Sequence, residues 1–170
     1  MAMRIAISDC LLGIPARYDG GTKPCPAVIL LSQQPGVEVV RVCPETAAGL
    51  PVPRPPAEHR DGRVVFSDGT DVTEAFERGS AACLERVLAA GVDFAVLKAK
   101  SPSCGAWMIH DGTFTGGLVD GWGTFAAKLR DAGVPVFTEE DVERAVAFAQ
   151  RGESFDDSFL PLVCKALGLL

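Results

Sequence analysis

An apolar stretch near the N-terminus, MRIAISDC at residues 3–10, decides the expected fold. Its first six residues predict a strand, and Cys10 follows the carboxyl end of that strand. The β-branched stretch VEVVRVC at residues 37–43 repeats the arrangement and ends at Cys43. Residues 93–97, DFAVL, predict a third strand that is buried on both faces. The sequence therefore predicts several strands, two of which end at a cysteine.

Helix-like segments separate these strands. We predict helices at residues 27–34, 72–90, 123–132, 138–151 and 155–170, a short strand at 134–137, and a hairpin at 107–114 that turns at Asp111 and Gly112. Alternation of strands and helices predicts a single-domain, Rossmann-like α/β fold. We expect a mainly parallel sheet with helices on both faces, a small β-hairpin and a C-terminal helix.

Composition excludes several classes of protein. Sixteen Lys and Arg against 22 Asp and Glu give the 170 residues a net charge of −6, so bulk nucleic acid is not an expected partner. A hydrophobic fraction of 48% supplies a packed core and excludes disorder. No apolar run reaches the ~18 residues of a membrane span, and the N-terminus lacks the apolar stretch of a signal peptide. We expect a cytoplasmic protein without membrane association.

The six cysteines are the main candidates for functional residues in the sequence. In a reducing cytosol, thiols serve packing, catalysis or metal binding. Cys83 and Cys164 lie on apolar faces of predicted helices, so we expect them in the core. Cys25 stands at a predicted helix start, where the helix dipole would lower the pKa of a thiol, although we expect its role to be structural.

The other three cysteines, Cys10, Cys43 and Cys104, follow the first, second and third predicted strands. In a parallel sheet these positions share the edge where ligands gather. Their separations of 33 and 61 residues match no zinc finger or zinc ribbon. For each cysteine alone, a structural role is as open as a functional one. The shared position of the three favours a functional role.

Six short motifs occur in order along the chain: SDCLLG at 8–13, RYDG at 17–20, CPE at 43–45, GLPVPRPP at 49–56, GTDVT at 69–73 and KSPSCG at 100–105. Together, from about residue 5 to residue 139, they resemble the thiouracil desulfidase family. The resemblance implies a desulfidase that removes sulfur from a small thiolated pyrimidine base, such as 2-thiouracil, and gives the carbonyl product and sulfide. It also implies a desulfidase-like domain at 1–140, with 141–170 as a helical extension packed on it.

The same resemblance implies a [4Fe-4S] cluster with three cysteine ligands, carried over to Cys10, Cys43 and Cys104, and one open iron. An open iron is a Lewis acid that prefers a soft sulfur donor to a carbonyl oxygen. The catalytic acid is carried over to Glu45 and the catalytic hydroxyl to Ser101. Glu45 would deprotonate a water that adds to the thione carbon, and the cluster's negative charge would raise its pKa. The expected reaction is hydrolytic and needs no net electron transfer.

Four further residues are expected to contact the substrate: Ser8, Asp9, Tyr18 and Ser103. Some of these expectations have alternatives. The family more often has a small residue in place of Asp9, and Tyr18 either lines the site or forms a turn. Ser101 and Ser103 either bond the edge of a base or close the turn at Pro102 as local caps.

Other polar residues are weaker candidates. His59 is expected in a polar loop and His110 at an exposed position beside the hairpin turn, and neither has a cysteine partner for nucleophilic catalysis. Arg17 and Arg54 either offset the charge of the cluster or lie on the surface. Gly105 would let the backbone approach the cluster closely.

Two other functions remain open from the sequence. The three thiolates suit a non-enzymatic module that binds zinc or receives sulfur. The second alternative is a thiol-redox protein in which Cys10 and Cys43 form a reversible disulfide. The absence of a Cys-x-x-Cys motif from the chain counts against it. The sequence does not indicate the oligomeric state, or whether the substrate is a free base, a nucleoside or a larger thioamide.

Overall fold

The computed structural model describes residues 2–152, 160–166 and 168. In this part of the chain the elements are β1 (Met3–Ser8), α1 (Pro26–Ser32), β2 (Val37–Val42), α2 (Pro44–Ala47), β3 (Ala57–Arg60), β4 (Arg63–Phe66), α3 (Thr73–Ala90), β5 (Phe94–Leu97), β6 (Met108–His110), β7 (Leu118–Asp120), α4 (Thr124–Asp131), β8 (Val136–Thr138), α5 (Glu139–Arg151) and α6 (Leu160–Ala166). A 3-10 helix, Asp9–Leu12, follows β1 directly.

Four parallel strands form the central sheet in the order β2-β1-β5-β8. Ala6 of β1 lies opposite both Val40 of β2 and Ala95 of β5, which fixes the register of the three strands. The chain winds from β1 to β2 on one side and later adds β5 on the other, so the order reverses at β1. Such a switch point leaves a crevice at the carboxyl ends of the strands. The predicted mainly parallel α/β sheet is confirmed.

Helices cover both faces of this sheet, as predicted. Successive side chains of a strand point to opposite faces, so each strand contributes to two cores. One hydrophobic cluster joins Ile7 and Phe94 to α1, α5 and α6. A second cluster joins Ala6 and Leu97 to α3 and α4. These strand residues are all fully buried, which explains the continuous apolar composition of β5.

The C-terminal part of the chain follows the prediction where it is described. The helix predicted at 155–170 is present at Leu160–Ala166, and residues 155–159, 167, 169 and 170 of that prediction lie outside the described residues. The boundary predicted at residue 140 falls inside α5, and the division into 1–140 and 141–170 stays a prediction. None of the described helices combines the length and the apolar character that crossing a bilayer requires.

The hairpin predicted at 107–114 is wrong in its second strand. β6 pairs with β7, which begins only at Leu118, and residues 111–117 form the connection. Asp111 Oδ1 accepts hydrogen bonds from the N–H of Thr113 (3.0 Å) and from its hydroxyl (2.6 Å). This Asx turn replaces the expected two-residue turn. The side chain of Asp111 bonds the backbone N–H of Thr113, which lies in the segment where the second strand was expected.

A second hairpin, β3–β4, was not predicted at all. His59 therefore lies in a strand and not in the polar loop that was expected. The four residues of β3 are polar apart from Ala57, so the segment lacks the apolar alternation by which a strand is identified. The two hairpins contact each other through Arg60, whose guanidinium Nε donates to the carbonyl of Gly112 at 2.8 Å.

A glycine sets the position of the short helix α2 on α3. A Cβ added to Gly79 would lie 2.0 Å from the carbonyl oxygen of Pro44 and 2.8 Å from the Cβ of Ala48. Backbone and methyl groups at these distances cannot be accommodated without movement of a helix. Gly79 therefore permits the close packing that holds the residues around Pro44 in place.

We predict that Gly79→Ala lowers the free energy of unfolding by about 1–3 kcal/mol, because overpacking outweighs the better helix propensity of alanine. Urea unfolding followed by circular dichroism measures this change. The control is Ala82→Gly, at an exposed position of the same helix, which should cost only the propensity difference of about 1 kcal/mol. A Gly79→Ala protein that is more stable than the unchanged protein would contradict the packing argument.

Candidate active site

A cavity of about 610 Å³ lies at the carboxyl edge of the central sheet. Its walls come from the segments that follow β1, β2 and β5 and from the two hairpins. The structure brings Cys10, Cys43 and Cys104 to this one cavity. The cavity thus coincides with the edge at which a switch-point fold binds its ligands.

The three cysteines are free and influence one another electrostatically. Burial raises the pKa of the Cys10 thiol to about 11; the nearby Lys98 ammonium lowers it, and the thiol of Cys43 raises it. Burial also raises the pKa of Cys104, and the thiols of Cys43 and Cys10 add to this effect. The thiols of Cys10 and Cys104 therefore favour the protonated form in the isolated chain, so a bound metal must displace their protons.

Hydroxyl groups donate hydrogen bonds to two of these sulfur atoms. Thr46 Oγ1 donates to the Sγ of Cys43 at 3.1 Å, and the hydroxyl of Ser8 bonds Cys104 and lowers the pKa of its thiol. Ser103 Oγ also lies 3.6 Å from the Sγ of Cys104, but its single proton is directed to the nearer Glu45 Oε1. Hydrogen bonds to cysteine sulfur are a common means of tuning iron–sulfur centres. The donor set therefore fits such a centre.

A single metal ion fits the site less well. Across residues 2–152, 160–166 and 168, no three His, Cys, Asp or Glu side chains converge on a point where one ion would bind. A [4Fe-4S] cluster binds each thiolate at a different iron, so its ligands stand further apart than those of a zinc ion. Three free thiols that line one cavity supply the type of ligand that such a cluster requires.

Glu45 is held in the cavity wall by two partners. Its Oε2 accepts a hydrogen bond from the Nε of Arg54 at 2.9 Å and a second, shorter one from the Nη2. Its Oε1 accepts a hydrogen bond from the hydroxyl of Ser103 at 3.0 Å. Both donors bond the same carboxylate oxygen, so Arg54 holds Oε2 while Ser103 holds Oε1. Oε1 keeps the remaining capacity to accept a proton or a further hydrogen bond.

Arg54 is buried, which corrects the alternative that placed it on the surface. Its side chain is only 2% exposed, and its Nη1 and Nη2 also donate to the carbonyls of Pro51 (3.1 Å) and Ala16 (3.0 Å). The guanidinium therefore contacts Glu45 directly. Sequence reasoning named Arg54 but missed this partner, since nothing in a proline-rich stretch indicates a buried ion pair.

The two serines of the predicted site have different surroundings. Ser101 Oγ accepts hydrogen bonds from the N–H groups of Ser103 (3.2 Å) and Cys104 (3.1 Å), so it caps the turn at Pro102 as one alternative anticipated. Ser103 is buried and donates to Glu45. Both serines line the cavity. The proximity of Ser103 to the carboxylate was not anticipated.

The other expected substrate contacts also line the cavity. Ser8 is buried, and its Oγ accepts from the N–H of Lys98 at 3.0 Å, which joins the ends of β1 and β5. Asp9 forms an ion pair with Arg41, whose Nε lies 3.1 Å from its Oδ1. Tyr18 is half-exposed at the cavity wall. Their contacts with a substrate stay predictions.

The remaining cysteines lie outside the cavity. Cys83 and Cys164 are buried in the two hydrophobic clusters, as expected. Cys25 caps the N-terminus of α1, and the backbone N–H groups there lower the pKa of its thiol. Burial outweighs them and raises the pKa, with the carboxylate of Glu143 acting in the same direction. The expected lowering by the helix start is present, but the net pKa is raised.

Residues of the hairpins complete the site and were underestimated by sequence reasoning. His59 Nε2 lies 2.7 Å from the carbonyl oxygen of Pro102 and attaches β3 to the loop that carries Cys104. His110, expected to be exposed, is half-buried and lines the cavity. The close approach at Gly105 is to Ser101, whose carbonyl oxygen would lie 2.6 Å from an added Cβ. A β3 strand identified in the sequence would have placed His59 correctly.

The fold and the site together define an α/β protein with a cysteine-lined cavity suited to an iron–sulfur cluster. Comparison with known families narrows this class, because the model of the 2-thiouracil desulfurase family matches residues 5–141. The chain belongs to the 2-thiouracil desulfurase family.

Two relatives show how far the similarity extends. A solved structure of the [4Fe-4S]-dependent thiouracil desulfidase TudS is 42% identical, with a TM-score of 0.76, and the match covers 87% of this chain and 99% of that one. The uncharacterized protein YbbK of Bacillus subtilis (strain 168) is 34% identical over 148 residues, 81% of this chain and 97% of YbbK. The predicted family and fold class are confirmed.

We predict that Arg54→Met lowers the free energy of unfolding by about 3–5 kcal/mol, because it leaves the Glu45 carboxylate without its partner in a buried position. Chemical unfolding measures the effect. The control is Arg63→Met, which breaks an exposed ion pair with Asp71 and should cost less than about 1 kcal/mol. Equal losses in the two variants would contradict a structural role for the buried pair.

Proposed function

We propose that this chain is a [4Fe-4S]-dependent desulfidase that removes sulfur from a thiolated pyrimidine base such as 2-thiouracil. Water supplies the oxygen of the carbonyl product and the sulfur leaves as sulfide, so no electrons are transferred. Family membership and the similarity to TudS support the reaction class. The observation that carries the proposal is the meeting of three free thiols and one carboxylate in a single cavity.

Cys10, Cys43 and Cys104 would hold the cluster in this proposal. They come from three strand ends, line the same cavity and include two sulfur atoms bonded by hydroxyl groups. When bound through three thiolates, the cluster would offer one open iron as a Lewis acid for the soft thiocarbonyl sulfur. The reducing cytoplasm that we propose as the location keeps all six thiols available.

Glu45 would act as the general base. Arg54 fixes its Oε2, which leaves Oε1 to accept a proton from the attacking water. Oxygen addition to the thiocarbonyl carbon requires this proton transfer, and the proton returns when the carbon–sulfur bond breaks. The buried guanidinium keeps the carboxylate in one orientation throughout.

The serines would orient the reacting groups. Ser103 donates to Glu45 Oε1 and so restricts the direction from which a water approaches that oxygen. Ser101 remains a candidate catalytic hydroxyl, since it lines the cavity next to Ser103 with 3.1 Å between their Oγ atoms. Ser8, Asp9 and Tyr18 are proposed to line the substrate position.

Anaerobic reconstitution with iron and sulfide tests the ligand set. We expect about four irons per chain, a brown chromophore and sulfide release from 2-thiouracil. Cys104→Ala should lose iron and abolish sulfide release, because a ligand is missing. The control Cys164→Ala, also a buried cysteine but not part of the cavity lining, should keep both. Full iron content and activity in Cys104→Ala, or zinc with no turnover in the unchanged protein, would overturn the proposal.

Glu45→Gln separates the base from the cluster. Glutamine keeps the size of the side chain but cannot accept the proton of water, so we expect unchanged iron content and a kcat lower by about 10²–10⁴-fold. Steady-state sulfide release and iron analysis of the same sample measure the two quantities. Glu85→Gln, at an exposed position of α3, is the matched control. A Glu45→Gln rate close to that of the control would exclude Glu45 as the base.

A further inference from the structure

A second polar group lines the cavity, on the hairpins and not at the strand ends. It consists of Glu58 in β3 and His110 in β6. Neither residue has a part in the proposed cluster or in proton transfer by Glu45. The hydrogen bonds of Glu58 and the unpartnered ring nitrogen of His110 indicate which ligand groups the two residues can bind.

Glu58 is a buried carboxylate with half of its bonding capacity unused. The residue is 7% exposed, and its Oε2 accepts from the N–H groups of Gly112 (2.9 Å) and Phe114 (3.0 Å). Within the described part of the chain, Oε1 has no donor and no cation forms an ion pair with the carboxylate. Oε1 is not fully shielded from the cavity, so it can accept a hydrogen bond from a ligand N–H.

His110 lies two residues before Gly112, whose N–H donates to Glu58. Its imidazole lines the cavity, and its Nδ1 is buried without a partner among the described residues. Neither ring nitrogen has a hydrogen bond to that part of the protein. A neutral imidazole can donate one hydrogen bond and accept another. The wall of the cavity thus offers an acceptor on Glu58 and a donor on His110.

Phe114 shows that this wall is held under strain. Its φ of 59° is in the left-handed region, which is costly for a bulky side chain. The hydrogen bond from its N–H to Glu58 helps to hold that conformation, and the residue lines the same cavity. Strained residues held by their surroundings are concentrated at functional sites.

We infer that Glu58 and His110 recognise the polar edge of the pyrimidine ring and select a uracil-type edge over a cytosine-type edge. Glu58 accepts the ring N–H, and His110 donates to the adjacent exocyclic carbonyl. A cytosine-type edge presents a ring acceptor instead, which an ionised carboxylate cannot bond. This inference rests on the proposed function for the identity of the substrate.

Glu58→Gln provides the test, because it changes the polarity of one atom. The amide oxygen can still accept from Gly112 and Phe114, while the amide nitrogen presents a donor where Oε1 presented an acceptor. Binding of uracil and cytosine, neither of which contains sulfur, is measured by calorimetry on the reconstituted protein. We expect uracil affinity to fall by about 10- to 100-fold and the preference for uracil over cytosine to disappear or reverse.

Two further variants complete the experiment. His110→Phe should weaken uracil binding by about tenfold, because the donor to the carbonyl is lost. Glu85→Gln, the same chemical change at an exposed position of α3, should leave both affinities unchanged. Urea unfolding of each variant shows that the fold is retained. The kcat/KM ratio of 2-thiouracil to 2-thiocytosine should change in the same direction as the binding ratio.

The outcomes separate this inference from the proposed function. An unchanged uracil-to-cytosine ratio in Glu58→Gln, or no uracil binding by the unchanged protein, would overturn the recognition. Unchanged uracil affinity in His110→Phe would remove His110 from it. Selective uracil binding without sulfide release from 2-thiouracil would contradict the desulfidase and leave the recognition in place.

Discussion

The parallel pairing of β1 with both β2 and β5 is the constraint on which the site depends. Because Ala6 has partners in both neighbouring strands, the three strands end at the same edge of the sheet. The loops that leave this edge carry Cys10, Cys43 and Cys104, which are 94 residues apart from first to last. Backbone hydrogen bonding in the core thus determines which distant thiols share one cavity.

Sequence periodicity predicted the strands of the central sheet well, because each strand is marked by a pattern in its own local sequence. Met3–Ser8 and Val37–Val42 were predicted with their observed bounds, since β-branched runs between turn residues have few alternatives. The helix predicted from residue 138 is confirmed by a capping box between Thr138 and Asp141. The second strand of the β6–β7 hairpin was predicted at the wrong position. The side chain of Asp111 accepts a hydrogen bond from the backbone of Thr113, and the Asp-Gly dipeptide used for the prediction does not indicate this contact.

The cysteines of the candidate site could be predicted from the sequence, but the hydrogen-bond partners of its carboxylates could not. Cysteines at strand ends are visible in a sequence once the strands are known. The partners of Glu45 and Glu58 are not, because Ser103 and Gly112 are more than 50 residues away from them and the contacts follow from tertiary packing. Ser101 and Ser103 looked alike as neighbours of Pro102, and only the orientation of the loop distinguishes a turn cap from a carboxylate partner.

The hydrogen bonds of Arg54 extend beyond Glu45. Its backbone N–H donates to the carbonyl of Tyr18 at 2.6 Å, while its guanidinium reaches Ala16 and Pro51. Arg54 thereby connects the loop of Ala16 and Tyr18, its own proline-rich stretch and α2 around the carboxylate. A charge network assembled before any ligand arrives needs little reorganisation when charge develops during a reaction. The proline-rich stretch is thus a scaffold for preorganised electrostatics around Glu45.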